Sequence, residues 1–242
     1  MNVLRPSVFP PGVVAASSTR RGGVSPLPLG MNLSFKVGDA QENVTRNRLM
    51  FFGGLGIPPD RLAIPGQVHG TSVRVVKNPG EYPETDGLLT AEPGLFLCVS
   101  TADCVPILLF DPVRRAVGAV HAGWRGTAAG IAAGGIRMME KEFGTSAGDV
   151  LAYIGPAAGA CCYNVGEELE PQFPAGCVAH RDGRTYVDLK ETNRRMLLEE
   201  GVIAGRVETS PFCTISDSTL FHSHRRDGSR SGRMMAVIGL IA

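Results

Sequence analysis

The 242-residue chain contains no apolar run approaching the roughly 18 residues needed to cross a bilayer. A membrane-spanning helix is therefore excluded from the expected structure. Its first stretch, Met1 to Gly12, carries an arginine and prolines where an export signal needs an apolar segment. The chain is expected to work in the cytoplasm. There is no block of like charge either: 24 basic and 23 acidic side chains are mixed along the chain, for a formal net charge of +1. Nucleic acid needs a cationic track, so it is not an expected partner. The one local excess runs H-S-H-R-R-D-G-S-R-S-G-R from His222 to Arg233. It is short and rich in glycine and serine. It suits a small anion, because arginine offers a rigid fork to phosphate or carboxylate. The six cysteines form no C-x-x-C pair, and Cys161 and Cys162 are chain neighbours that bond to each other only with strain. Free thiols in a reducing compartment are expected.

What is present suffices for a folded unit. An apolar content of 43% over this length can bury a core without disulfides, and one domain over 1–242 is expected. Residues 11–18 read as a strand. Asp39 followed three residues later by Glu42 has the spacing of a capping box, which predicts a helix to about Phe52. Val44, Phe51 and Leu55 would form its buried side. Arg48 falls on that side too, either snorkelling to the surface or aimed into a pocket. Apolar runs at 95–100, 105–110, 116–121, 150–156 and 234–241 predict buried strands, and 111–114 reads as a turn between antiparallel neighbours. Two short strands are expected around His69. A glycine-broken helix is expected over about 123–144, with Ile131, Met138, Met139 and Phe143 inward. The clearest helix starts at Asp188, has Glu191 at the box position and ends at Gly201. Strands and helices intermix, so the class is α/β or α+β with several antiparallel neighbours.

The chemistry centres on His69, Cys104 and His121, each at the border of an apolar segment where backbone placement is firm. Zinc accepts imidazole nitrogen and thiolate sulfur, and catalytic sites commonly keep three protein ligands with a fourth position open. Alternatives remain on these residues alone. Cys104 could be a nucleophile activated by His121 or His69 without a metal. It could also be a buried apolar residue, with the histidines merely hydrogen-bonded. Asp103 is a candidate to orient an imidazole, or a simple turn cap. Arg125 follows the single Trp124 at a helix start, where backbone N–H groups favour an anion. Arg48 is a candidate second arm on the same anion. His224 is a candidate proton carrier beside the late arginines.

Taken together, T-A-D-C-V-P-I-L-L-F-D, H-A-G-W-R-G-T, Q-V-H-G, I-G-P-A-A-G-A-C-C-Y-N-V-G, Y-V-D-L and H-R-R-D-G…G-R-M resemble the multicopper polyphenol oxidase, or laccase-domain, family over essentially the whole chain. The resemblance implies a compact α/β domain of packed sheets with helices outside, similar to cysteine deamidase-like folds. It implies a metal site at His69, Cys104 and His121 and phosphate-binding arginines at Arg48 and Arg125. Family members are described as zinc-dependent purine nucleoside phosphorylases acting on adenosine, inosine, guanosine and methylthioadenosine, and as adenosine deaminases. A related bacterial role is peptidoglycan-precursor editing. Purine nucleoside and phosphate are thus the implied partners, and a monomer is expected. Zinc is the implied cofactor. A laccase needs many histidines for its copper centres, and this chain has five. Copper on a His/Cys site is nonetheless chemically easy.

Overall fold

The computed structural model describes residues 3–241. In chain order the strands are β1 (Val3–Leu4), β2 (Val13–Ser18), β3 (Leu62–Gly66), β4 (Val73–Val75), β5 (Gly80–Pro83), β6 (Gly87–Thr90), β7 (Phe96–Thr101), β8 (Val105–Asp111), β9 (Ala116–Ala122), β10 (Leu151–Ile154), β11 (Asn164–Val165), β12 (Val178–Arg181), β13 (Arg184–Val187), β14 (Val207–Thr209) and β15 (Met234–Leu240). The α-helices are α1 (Gln41–Gly53), α2 (Trp124–Ala128), α3 (Ile131–Phe143), α4 (Leu189–Glu199) and α5 (His224–Asp227).

Two six-stranded sheets carry the architecture, ordered β1-β2-β15-β7-β3-β5 and β14-β10-β8-β9-β6-β4, with β11-β13-β12 as a small third sheet. Pairing is mixed. β8 is antiparallel to β9 and β10, whereas β3 is parallel to β5 and β7. Strands β8, β9 and β15 are buried along their whole length, which is why they read as unbroken apolar runs. Successive side chains point to opposite faces, and the core clusters follow that period of two. Leu97 and Val99 of β7, Leu108 and Phe110 of β8, Val117 and Ala119 of β9, and Ile238 of β15 form the layer between the two sheets. Ile107, Leu109, Val120 and Ala122 face the other way, onto Ile131, Ile136 and Met139 of α3 and Leu197 of α4. Phe96, Cys98, Met235 and Val237 meet Phe51 and Phe52 of α1. The order of layers is helix, sheet, sheet, helices. A fully buried Leu, Val or Phe contributes about 1.5–3 kcal/mol of transfer free energy, so these double-sided strands hold the sheets face to face.

Three local expectations change. Asp39 does not cap α1: the cap position is Ala40, with no side-chain cap bond. The Asp39 carboxylate instead accepts from Ser25 Oγ at 2.7 Å and Asn32 Nδ2 at 2.9 Å, pinning the preceding loop. The 123–144 segment is two helices, because Gly130 takes a left-handed φ of 80° between them. Glu191 does not complete a capping box. Asp188 does accept from Glu191 N at 2.9 Å, but the Glu191 carboxylate pairs with Arg195. All six cysteines are free thiols. Among the described residues no helix is long and apolar enough to cross a membrane.

Candidate functional site

His121 is the last but one residue of β9 and lies opposite Pro106 of β8. By strand alternation it shares the inter-sheet face with Val117 and Ala119, and it is 2% exposed. Cys104 precedes β8 at the end of the turn from β7, just beyond the pair Val105–Ala122. It is half-buried. His69 sits in the connection from β3 to β4 and is exposed. Their ligating atoms all lie within 4.8 Å of one another. The two imidazole rings meet edge to face, with centroids 4.9 Å apart.

A buried carboxylate assembles this group, and sequence reasoning missed it. Asp86 is wholly buried. Its Oδ1 accepts from His121 Nδ1 at 2.8 Å and from His69 N at 3.0 Å, and its Oδ2 accepts from Gly70 N at 2.7 Å and Val68 N at 3.2 Å. Three successive backbone N–H groups thus form a nest around the carboxylate. That nest holds His69 at a left-handed φ of 62°, a costly conformation for a residue with a Cβ. The signal was Asp86 itself, a charge opening a short apolar strand. Asp103, a candidate for that imidazole partner from its position beside Cys104, does other work. Its carboxylate accepts from Thr214 Oγ1 at 2.7 Å and Arg225 N at 2.6 Å.

Electrostatics follow from this geometry. Burial opposes charge on Cys104, but His121 and His69 outweigh it and bring the thiol down to about 6. Burial likewise opposes charge on His121, but Cys104 and Asp86 outweigh it and lift the imidazole to about 9. Burial would raise Asp86, yet His121 and the Gly70 and Val68 amides hold it below the ordinary carboxylate range. These contacts favour charge on all three groups, and an ion at the site would take the place of the proton between Cys104 and His121.

It opens onto a cavity of about 740 Å³. Arg48, His69, Asp103, Cys104, His121, Arg125 and His224 all line this one cavity, although they are spread across 177 positions of sequence from 48 to 224. Arg48 lies over the Phe35 ring at 4.5 Å and donates from Nε to Leu33 O at 2.8 Å. That bond uses one of five guanidinium N–H groups. Arg125 is exposed and covers the Trp124 ring at 4.3 Å. His224 Nδ1 donates to Gly228 O at 3.1 Å, since a carbonyl oxygen can only accept. Arg225 and Arg233, which the sequence grouped only as a basic segment, also line the cavity. Burial lowers the pKa of both Arg48 and Arg233. Partly desolvated cations facing a cavity attract an anion.

The residues suit a metal ion. Asp86 occupies Nδ1 of His121 and leaves Nε2 free, the arrangement that orients a metal-bound imidazole. Gly123 leaves the necessary room: a Cβ there would stand 2.8 Å from the His69 ring and 3.3 Å from Cys104 Sγ. No fourth His, Cys, Asp or Glu joins this group among the described residues.

A family model described as multi-copper polyphenol oxidoreductase laccase matches residues 14–241. The chain belongs to that family. Among its relatives are the purine nucleoside phosphorylases of Deinococcus radiodurans, 41% identical over 93% of this chain and 88% of that protein, and of Bacteroides thetaiotaomicron, 38% identical over 91% and 89%. The crystal structure of YlmD from Geobacillus stearothermophilus shares the fold, with a TM-score of 0.94, 36% identity, and coverage of 100% of this chain and 97% of that one.

Proposed function

We propose that the cavity catalyses zinc-dependent phosphorolysis of purine nucleosides (adenosine, inosine, guanosine, methylthioadenosine), with deamination of adenosine as a side activity. The observation that carries this is the convergence of a three-ligand His/Cys/His group and the Arg48 and Arg125 guanidinium groups on one cavity. The relatives named as purine nucleoside phosphorylases point the same way.

His69, Cys104 and His121 would hold the zinc, which would supply a Lewis acid to the cavity. The remaining work falls to the chain. Arg48 and Arg125 bind phosphate, neutralise it and align one oxygen with the anomeric carbon of the ribose. The C–O bond forms as the C–N bond to the purine breaks. His224, with its Nδ1 proton turned to Gly228 O, offers Nε2 as a relay that takes a proton from the attacking dihydrogen phosphate and passes it to the departing purine. Asp103 is a positioning residue: it ties Thr214 and the Arg225 backbone to the cavity wall. In deamination, water replaces phosphate, attack falls on purine C6, and ammonia leaves.

The test is turnover of adenosine by zinc-loaded protein with and without phosphate. Adenine and ribose 1-phosphate should form only with phosphate, and inosine in its absence. Phosphate-independent release of adenine, or no turnover by zinc-replete protein, would sink the proposal.

A second reading has its own support. The Cys104 thiolate, His121 and Asp86 form the nucleophile–base–orienter sequence of a metal-free cysteine amidohydrolase. Such a site would suit removal of a misplaced residue from peptidoglycan-precursor peptides. Activity on a peptide substrate that survives chelation, with none on nucleosides, would favour it.

A further inference from the structure

Outside the cavity group, Cys161, Cys162 and Cys213 bring three Sγ atoms within 4.8 Å of one another. The backbone builds this cluster. Ala157 and Cys213 form a parallel bridge, and Thr214 N donates to Ala157 O at 3.0 Å. The chain then turns back at Gly159, where Cys162 N donates to Gly159 O at 3.0 Å. Gly159 eases the close approach there. A Cβ would stand 3.1 Å from Cys213 Cβ and 3.4 Å from Cys161 Sγ. Cys161 Sγ lies 3.4 Å from Cys162 Sγ. Three sulfurs each about 2.3 Å from a shared ion stand roughly 4 Å apart, so little movement is required for all three to reach one.

The surroundings favour anionic sulfur at Cys213, whereas burial and the neighbouring Cys161 and Cys213 sulfurs push the Cys162 thiol up to about 12, so an ion must displace its proton. Gly159 N donates to Cys213 Sγ at 3.2 Å. Burial would raise the Cys213 thiol, but hydrogen bonds from Ser216, Gly159 and Ile215 outweigh it and bring it to about 7. The Lys190 ammonium donates to Ser210 O and Phe212 O, beside Cys213, and its charge is felt by Cys213 and Cys161. Arg181 donates to Ala160 O on the other side of the turn. Cys213 is buried, Cys162 half-buried and Cys161 exposed, which leaves a path for an ion to enter.

The donor set is all sulfur, and no fourth His, Cys or carboxylate joins it among the described residues. Thiolates select soft cations, monovalent copper foremost, whereas zinc prefers four ligands. We propose that Cys161, Cys162 and Cys213 form a second metal site, a three-coordinate thiolate site for monovalent copper, distinct from the His69–Cys104–His121 group. Loading forms three Cu–S bonds, releases the protons of those thiols still protonated, and changes no oxidation state. Its neighbours connect it to the cavity. Thr214 bonds Asp103, and Tyr163 lines the cavity wall.

The test is an anaerobic titration of the reduced full chain with monovalent copper against a competing chelator. The Cys104→Ser variant removes the thiolate of the cavity group from the competition. It should keep one tight equivalent per chain, with ultraviolet thiolate-to-copper bands and a sulfur-only shell by X-ray absorption. Adding Cys161→Ser should abolish that equivalent. Cys161 is exposed, so the double variant should melt with the metal-free Cys104→Ser chain, which separates ligand loss from misfolding. Absence of a tight equivalent in Cys104→Ser, its survival in the double variant, or nitrogen in the shell would overturn the proposal. So would a disulfide among the three thiols that forms when the reduced chain stands in air and that copper loaded beforehand fails to prevent.

Discussion

His121 and His222 are exposed to 2% and 0%, yet the protein drives them in opposite directions. His121 has a carboxylate on one side, a thiolate on the other, and a pKa lifted to about 9. His222 is held against Gly232, where a Cβ would stand 2.7 Å from its ring. Neither of its ring nitrogens has a hydrogen-bond partner among the described residues. Burial, with Arg20 adding to it, pushes it down to about 3. Burial beside cations neutralises an imidazole. Apposed anions keep one charged, and the carboxylate that does so for His121 also holds its Nδ1, so that a metal can take the Nε2 position by displacing the proton there.

The comparison can be broken most severely at Cys104. Cys104→Ala should remove most bound zinc and nearly all nucleoside turnover, read by metal analysis and product chromatography. Zinc retained at one per chain would refute the ligand assignment. Asp86→Asn cuts from the other side. It keeps the shape but loses the charge that orients His121, so zinc affinity should fall about 10–100-fold, the usual cost of losing such a partner. Competition with a zinc chelator measures it, and an unchanged affinity would mean that the nest around Asp86 serves only the fold. Arg125→Ala should lower phosphorolysis about tenfold or more, since a hydrogen bond to a charged group is worth about 1.5–3 kcal/mol. Deamination should suffer less, because it needs no phosphate; equal losses would assign Arg125 to the nucleoside.

The smallest effect sharpens the other half of the comparison. His222 stays neutral in the fold but protonates near 6.5 once unfolded. Below that pH the unfolded chain binds the extra proton, so the stability held above about 6.5 is lost progressively as pH falls toward 3. Between pH 7 and pH 5 the loss should approach roughly 2 kcal/mol. Denaturant melts of His222→Leu should lack that increment. A slope equal to the wild type's would show that His222 titrates freely in the folded protein.

These regions were unequally legible. Strands β8, β9 and β15 could be read because burial on both faces leaves continuous apolar runs. Cys104 and His121 stood out as polar atoms at the borders of those runs. Asp86 did not, because its role depends on the N–H groups of Val68, His69 and Gly70, which only the folded loop brings together. The separation of Asp39 from its helix has the same cause: Ser25 and Asn32 compete for its carboxylate, and neither is near it in a helical reading. Cys213 is 51 positions beyond Cys162, so no local spacing announced that their sulfurs meet. Arg48 could be placed on the inner side of α1, but whether it snorkelled or entered a pocket depended on where Phe35 and Leu33 lay.

A crystal of the zinc-loaded protein, measured on both sides of the zinc absorption edge, tests the central claim most directly. The account predicts one anomalous peak bonded to His69, Cys104 and Nε2 of His121, with a fourth position held by no protein atom and open to the cavity. A peak elsewhere, or an ion enclosed by a fourth protein ligand, would contradict it.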